Sequence, residues 1–242
     1  MSKIVIDEFN STIFSQKMGN IIYTDRDSLK QCLQTRADKF DHLSVKVCCH
    51  DIEICNDLIK NGFYIVDTLV SYKFDYESDT IPDYHYNDEV KIRNLEAQDI
   101  EEVCKIAHNS FYNDRFHNDK ALDDELCNYY YESWIRNSCN GFADMVLVGK
   151  DLNGNILGFG TGKYHNENES ALVLNAVTKL ARGKGVYTAM IYEGMKLFEG
   201  KSKSLTLGTQ INNYAVQKAW SRLGFKIYDS KYVLHKQIKG NI

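Results

Sequence analysis

Apolar and polar positions along this chain change period several times, and each change marks an element. Short apolar runs at residues 4–6, 20–23 and 43–49 read as strands. Helical spacing follows over 51–60, then a strand over 63–74. A second series opens with a strand at 90–93. Leu95-Glu96-Ala97-Gln98-Asp99 then makes a turn that places Asp99 near the start of a helix running to about Ser110. Residues 113–124 are polar and read as loop, and a helix carrying Tyr129, Tyr130 and Trp134 comes next. Asn153-Gly154 is a hairpin signal between strands at 145–150 and 155–163. The remainder predicts a strand (171–177), a helix (185–199), a strand (204–210), a helix (213–223) and two short strands (225–229 and 232–236). Helices mixed among strands indicate the α/β or α+β class.

The single proline, Pro82, lies in the polar stretch from Glu77 to Asp83. It predicts an N-terminal α/β domain over 1–76, a linker over 77–89 and a larger domain over 90–242. Residues 43–74 and 205–236 align without a gap, 162 positions apart, so that Leu43 meets Leu205, Gly62 meets Gly224, Phe63 meets Phe225 and Asp67 meets Asp229. Both read strand, helix, Gly-Phe, strand. The N-terminal piece therefore looks like half of a unit that is whole in the C-terminal piece.

Composition narrows the class. A net charge of −4 argues against a nucleic-acid partner, which needs a concentrated basic face. No run of 18 apolar residues is present, so no spanning helix is expected, and residues 1–11 lack the apolar core of a signal peptide. Seven cysteines without a CxxC pair predict reduced thiols in the cytoplasm. The seven histidines show no ligand spacing, so no metal is expected.

The sharpest chemistry lies between Val177 and Tyr187. An apolar strand ends in Thr178-Lys179-Leu180-Ala181-Arg182-Gly183-Lys184-Gly185, and a helix starts at once. Glycines let the backbone approach a ligand, free N–H groups at a helix start cradle an anion, and Arg182, Lys184 and Lys179 add positive charge. The ligand implied is a phosphate or pyrophosphate. A plain strand-to-helix turn with solvated lysines is the alternative. The spacing is neither that of a Walker loop nor that of a dinucleotide fingerprint.

The segment resembles motif A of the GNAT superfamily of N-acetyltransferases. Val177, Arg182, Gly185 and Val186 match, while Tyr187 stands where the family has Gly or Ala. Asn213, Val216, Trp220, Gly224 and Phe225 resemble the family's following Asn-x-x-Ala-x3-Tyr-x3-Gly-Phe segment. The resemblance implies a GNAT fold: a mixed, mostly antiparallel sheet flanked by helices, here preceded by the partial unit. It implies acetyl-CoA as co-substrate and a small-molecule amine as acceptor. Gly183 and Lys184 would complete the pyrophosphate loop, with Val186 and Tyr187 at its helix end. Backbone groups of Asn175, Ala176 and Val177 would pair with the pantetheine amides, and one N–H there would polarise the thioester carbonyl. Asn213 would meet the pantetheine arm, and Trp220 stands where the family commonly has a tyrosine acid. An indole N–H is no proton source, so the acid is another residue, water or unnecessary.

For the base, period-two alternation over 63–71 puts Phe63, Ile65, Asp67 and Leu69 on one face. An acid on an apolar face is held nearer neutrality, which suits amine deprotonation. Asp67 closing a strand is the structural alternative. The N-terminal half-unit, residues 113–119, 129–138 and 230–236 together resemble the TDP-fucosamine acetyltransferases of cell-surface polysaccharide assembly. That resemblance implies a nucleotide-linked 4-amino-6-deoxy sugar as acceptor. Arg115 would pair the diphosphate, His117 would bond a hydroxyl or act as base, and Phe111, Tyr112 and Phe116 would stack on the nucleobase. A local Arg115–Asp119 ion pair with the aromatics in the core is the competing arrangement. A peptide, amino-acid or polyamine acceptor, and a non-catalytic CoA-binding protein, are the other readings. A homodimer is compatible with all of them.

Overall fold

The computed structural model describes residues 1–238. Its elements in chain order are β1 (Lys3–Ile6), α1 (Glu8–Phe14), β2 (Met18–Ile22), α2 (Arg26–Arg36), β3 (His42–Cys48), α3 (Ile52–Lys60) and β4 (Tyr64–Asp75). There follow β5 (Lys91–Asn94), α4 (Ile100–His108), α5 (Asp124–Asn137), β6 (Met145–Lys150), β7 (Ile156–Asn166) and β8 (Glu169–Val177). The chain ends with α6 (Val186–Phe198), β9 (Ser204–Gln210), α7 (Tyr214–Arg222) and β10 (Lys226–Gln237). Mixed strands flanked by helices are the architecture expected.

Two compact units form, but not by a split at residues 77–89. The first unit takes residues 1–70, 113–130 and, of the described residues, 229–238; the second takes 71–112 and 131–228. The expected linker therefore lies inside the second unit. The segment expected to be a loop, 113–124, lies inside the first.

In the first unit the strand order is β1-β2-β3-β10-β4. β3 runs parallel to β2 and antiparallel to β10, with Val45 opposite Leu234 and Ser44 opposite His235. Strict alternation along His-Leu-Ser-Val-Lys-Val-Cys sorts β3 into two faces. Leu43, Val45 and Val47 join Leu29, Cys55, Leu58, Phe63 and Leu234 in one apolar core. His42, Ser44, Lys46 and Cys48 occupy the opposite face. Two helices of this unit escape the sequence pattern because their composition is polar. Asp7 caps α1 by accepting from Asn10 N, and Asp25 caps α2 by accepting from Ser28 N. The expected pair of strands at 225–229 and 232–236 is one strand, β10, because nothing at Ser230-Lys231 forces a turn.

In the second unit the order is β4-β9-β8-β7-β6-β5. α6 buries Val186, Ala189, Met190, Ile191, Met195 and Phe198. At the Asn153-Gly154 turn, the Asp151 carboxylate accepts from the N–H groups of Asn153 and Asn155. The internal repeat holds at every boundary: β3, α3 and β4 begin at 42, 52 and 64, and β9, α7 and β10 begin at 204, 214 and 226.

Candidate active site

The cofactor half of the site is built entirely within the second unit. β8 and β9 are paired only at Ser170–Leu205 and Ala171–Thr206. β8 continues to Val177 and β9 to Gln210, so beyond that short ladder the two parallel strands part. Asn175, Ala176 and Val177 pair on their other side with Gly160, Phe159 and Gly158 of β7. Their edge toward β9 lies beyond the short β8–β9 ladder. Gly160 leaves room for the Asn175 side chain, whose Oδ1 would stand 2.7 Å from a Cβ there.

At the end of β8 the loop tightens. Gly183 and Gly185 have φ values of +77° and +79°, a region that suits glycine. Gly185 is the N-cap of α6 and offers no side-chain acceptor. Among the described residues, the amides of Gly183, Gly185, Val186, Tyr187 and Thr188 have no acceptor, and the first helical bond is Ala189 N to Gly185 O. These five N–H groups lie at the positive end of a helix, an arrangement that favours an anion. Arg182 and Lys184 flank it, both exposed. Arg182 leans on Tyr112, its guanidinium 5.9 Å from the ring centroid, which is no strong tether. Asn213 is the N-cap of α7 and donates from Nδ2 to Thr209 Oγ1 at 2.9 Å.

Trp220 is 2% exposed, and its Nε1–H donates to the Tyr187 hydroxyl at 3.1 Å. Burial raises the Tyr187 phenol well above its ordinary value, against the opposing pull of that hydrogen bond. The bulky residue that departs from the glycine-loop pattern is thus locked to the tryptophan that departs from the second motif.

The sequence profile of the Acetyltransferase (GNAT) family matches residues 100–225. The chain belongs to that family. A GNAT protein from Sphaerobacter thermophilus shares the fold with a TM-score of 0.66 at 11% identity, over 100% of this chain and 77% of that one. A tandem GNAT protein from the clavulanic acid biosynthesis pathway superposes with a TM-score of 0.62 at 10% identity, over 91% of this chain and 75% of that one. The spore coat polysaccharide biosynthesis protein SpsD of Bacillus subtilis is 30% identical over 141 residues, covering 58% of this chain and 48% of its own length. The chain thus spans about half the length of that curated relative.

Of the residues expected to meet the acceptor, Asp67, Arg115, Phe116 and His117 lie in the first unit and Phe111 and Tyr112 in the second. At these positions the GNAT chain departs from several expectations. Asp67 is not on the strand face that fills the core. Ile65 is 47% exposed, and the buried residues of β4 are Val66, Val70, Tyr72 and Phe74. Phe63, just before β4, is core, but within β4 the buried face is the one those four residues share, so the expected alternation from Phe63 does not carry through to Asp67. Asp67 is half-buried, accepts from Thr68 N at 2.7 Å, and interacts electrostatically with Lys46. His117 has both ring nitrogens engaged, Nδ1 with Asp114 at 2.6 Å and Nε2 with Asn128 Oδ1 at 3.1 Å. Burial disfavours its charged form, but the Asp114 carboxylate outweighs burial and raises its pKa. A ligand hydroxyl would have to displace one of these partners.

Phe116 packs against Phe14 and Tyr130 and is core, not a stacking platform. Phe111 stacks on Tyr131 at 4.1 Å, and Tyr112 is exposed. Arg115 lies over the Phe116 ring at 4.5 Å and bonds Tyr130. Its expected local partner, Asp119, instead points inward. Asp119 Oδ2 accepts from His42 Nε2 at 2.9 Å and His235 Nδ1 at 2.8 Å; Oδ1 accepts from Tyr64 at 2.7 Å and from Ala121 N at 3.0 Å. Those separations are hydrogen-bond lengths. Two imidazoles, a phenol and an amide thus meet one buried carboxylate as a hydrogen-bonded node. His42, His235 and Lys46 are not singled out by the sequence, and Asp119 is named there only as a partner for Arg115. For His42 and Lys46 the signal is the polar half of the β3 alternation.

Proposed function

We propose that this GNAT protein transfers the acetyl group of acetyl-CoA to the amine of a small substrate, a nucleotide-linked 4-amino-6-deoxy sugar. The parting of β8 and β9 above a five-amide cradle carries the first part of this reading. It offers an extended amide-bearing thioester both an edge and an anion terminus. The likeness to SpsD, a polysaccharide biosynthesis protein, supports the sugar acceptor.

In this scheme acetyl-CoA supplies an activated acyl group. Asn175, Ala176 and Val177 hold the pantetheine arm by backbone hydrogen bonds, and an N–H of that edge steadies the oxygen as the carbonyl becomes tetrahedral. The cradle with Arg182 and Lys184 takes the pyrophosphate, and Asn213 lies along the arm. Much of the rate comes from this positioning, about 7–11 kcal/mol in favourable cases. Asp67 accepts the proton of the acceptor ammonium so that the neutral amine attacks. A thiolate with a pKa of roughly 8.5 leaves without an obligatory acid, so Trp220 is compatible with turnover. His117, committed to Asp114 and Asn128, has no role in this scheme.

The test is thiol release from acetyl-CoA across three acceptor classes: a thymidine-diphosphate-linked 4-amino-4,6-dideoxyhexose, peptide N-termini and polyamines. Turnover confined to the nucleotide sugar is expected. Turnover of peptides or polyamines instead contradicts the acceptor, and coenzyme A binding without thiol release from any acceptor contradicts catalysis. Asp67→Asn is expected to lower kcat by at least a hundredfold with unchanged unfolding behaviour, as loss of a general base does. Full activity in that variant removes Asp67 from the scheme.

A further inference from the structure

One face of the sheet in the first unit carries more positive charge than its neighbours neutralise. Directly opposed residues of an antiparallel pair share a face. Lys46 of β3 is opposite Val233 of β10, and Cys48 is opposite Lys231, so Lys46 and Lys231 are diagonal neighbours on one face. They lie on the same side as His42, Ser44 and His235. Asp119 docks on those two histidines from the segment 113–122, which places Arg115 of the same segment over this face. Arg115 is held by the Phe116 ring, and Phe116 is fixed in turn by Phe14, Tyr130 and His235.

The ionic partners are unequal. Lys231 pairs with Asp229 at 2.9 Å. Among the described residues, Lys46 and Arg115 have no carboxylate within ion-pair distance. Asp67 is the acid whose charge acts on Lys46. Much of the Lys46 side chain is exposed, yet the surroundings of its ammonium strip water from it. That desolvation, with Arg115 and Lys231 nearby, brings its pKa down to about 8, while Asp67 opposes the fall. Cations gathered on one sheet face with few acids beside them are in the situation that a bound anion relieves.

We infer that Lys46 and Arg115, supported by Lys231, form an anion site for the diphosphate of a nucleotide ligand. Arg115 supplies a planar fork on an aromatic platform, and Lys46 supplies a point charge. The site deepens the acceptor reading and rests on it for the identity of the nucleotide. The anion chemistry stands on this face alone. Asp67 beside Lys46 would then lie near the sugar that the diphosphate carries.

The experiment is isothermal titration of the full chain saturated with coenzyme A, so that the Gly183–Gly185 loop is already filled. Thymidine diphosphate and inorganic pyrophosphate should bind, more weakly as salt rises, and thymidine should not. Lys46→Gln and Arg115→Gln should each weaken thymidine diphosphate by about ten- to a hundredfold, the scale of a hydrogen bond to a charged group. Lys46→Arg should keep most of the affinity. An unchanged chemical unfolding transition verifies that each variant is folded, and Arg115→Gln carries the test should Lys46→Gln fail to fold. Wild-type affinity in both glutamine variants overturns the site. So does loss of thymidine diphosphate binding on saturation with coenzyme A, which assigns the anion to the cofactor loop. If the anion binds through Lys46 while no amino sugar is acetylated, the acceptor reading fails and the anion site stands. If Lys46→Gln acetylates the nucleotide sugar with wild-type KM, the acceptor reading stands and the anion site fails.

Discussion

Asp119 is a carboxylate whose oxygens are met by four donors: two imidazoles, a phenol and an amide. It is 1% exposed, and His42 and His235 are each 0% exposed, so bulk solvent does not screen the node. Burial pushes His235 down to about 4, with Asp119 pulling the other way and the His42 and Arg115 charges adding to the fall. A folded value below the ordinary 6.5 means that the unfolded chain takes the proton first. His235 therefore contributes stability that is full above about pH 6.5 and lost as pH falls toward 4, on the order of 3 kcal/mol at about 1.4 kcal/mol per unit. Asp119, whose folded pKa is lowered, acts in the same direction, but only below the ordinary carboxylate range. His117, raised by Asp114, acts oppositely. Comparison with a variant isolates the effect of His235. The urea midpoint should drop between pH 7 and pH 4.5, and His235→Asn should shrink that drop; an equal drop in both removes the node as its cause. None of these four side chains is legible as a set in the sequence. His42, Tyr64, Asp119 and His235 are separated by up to 116 residues between contacting pairs, and no spacing rule spans that distance. Asp67 shows the complementary limit: alternation sets its period on β4, while packing chooses which face is buried.

At the scale of elements, the internal repeat is the most legible feature. α3 and α7 have Asn61 and Leu223 as C-caps, and each cap passes into a glycine at positive φ: Gly62 at +83° and Gly224 at +89°. The turn requires that backbone in both copies, so Gly-Phe recurs. The surroundings differ. A Cβ on Gly62 would stand 3.7 Å from Lys236 Cε, an ordinary contact, whereas one on Gly224 would meet Phe74 Cε2 at 3.2 Å. Gly62→Ala should cost about 1 kcal/mol, from the left-handed conformation alone. Gly224→Ala should cost about 1 kcal/mol or more beyond that, because buried Phe74 has little room to move. Chemical denaturation of the two variants decides it, and equal losses would show that Phe74 yields freely. The cofactor loop is legible for the same reason as the repeat: its glycines, charges and helix start are local. α1 and α2 are not, because their caps, Asp7 and Asp25, are single polar residues in already polar sequence.

For the molecule as a whole, the division into units has a direct consequence. The first unit is assembled from three separate stretches of chain, and β10 lies between its β3 and β4. A fragment of residues 1–76 would lack β10, with Leu234 and His235, and the segment that carries Asp119. It would expose the edges of β3 and β4 and leave His42 without its acceptor. Such a fragment should show no cooperative unfolding transition by circular dichroism. A cooperative transition would restore the division at 77–89. Local patterns in the chain were enough for the class of the fold, the strand–helix–strand repeat, the glycine-and-base loop and, through two spaced motifs, membership of the GNAT family. Each of these depends on neighbours within a few turns of chain, where periodicity and backbone conformation are encoded directly. Tertiary packing settled which residues share the first unit, that Asp119 turns inward rather than pairing with Arg115, that Trp220 is tied to Tyr187, and that Lys46 stands among cations. Those outcomes depend on which distant strands pair and which face is buried, and burial is what turns an ordinary lysine, aspartate or histidine into one with altered charge.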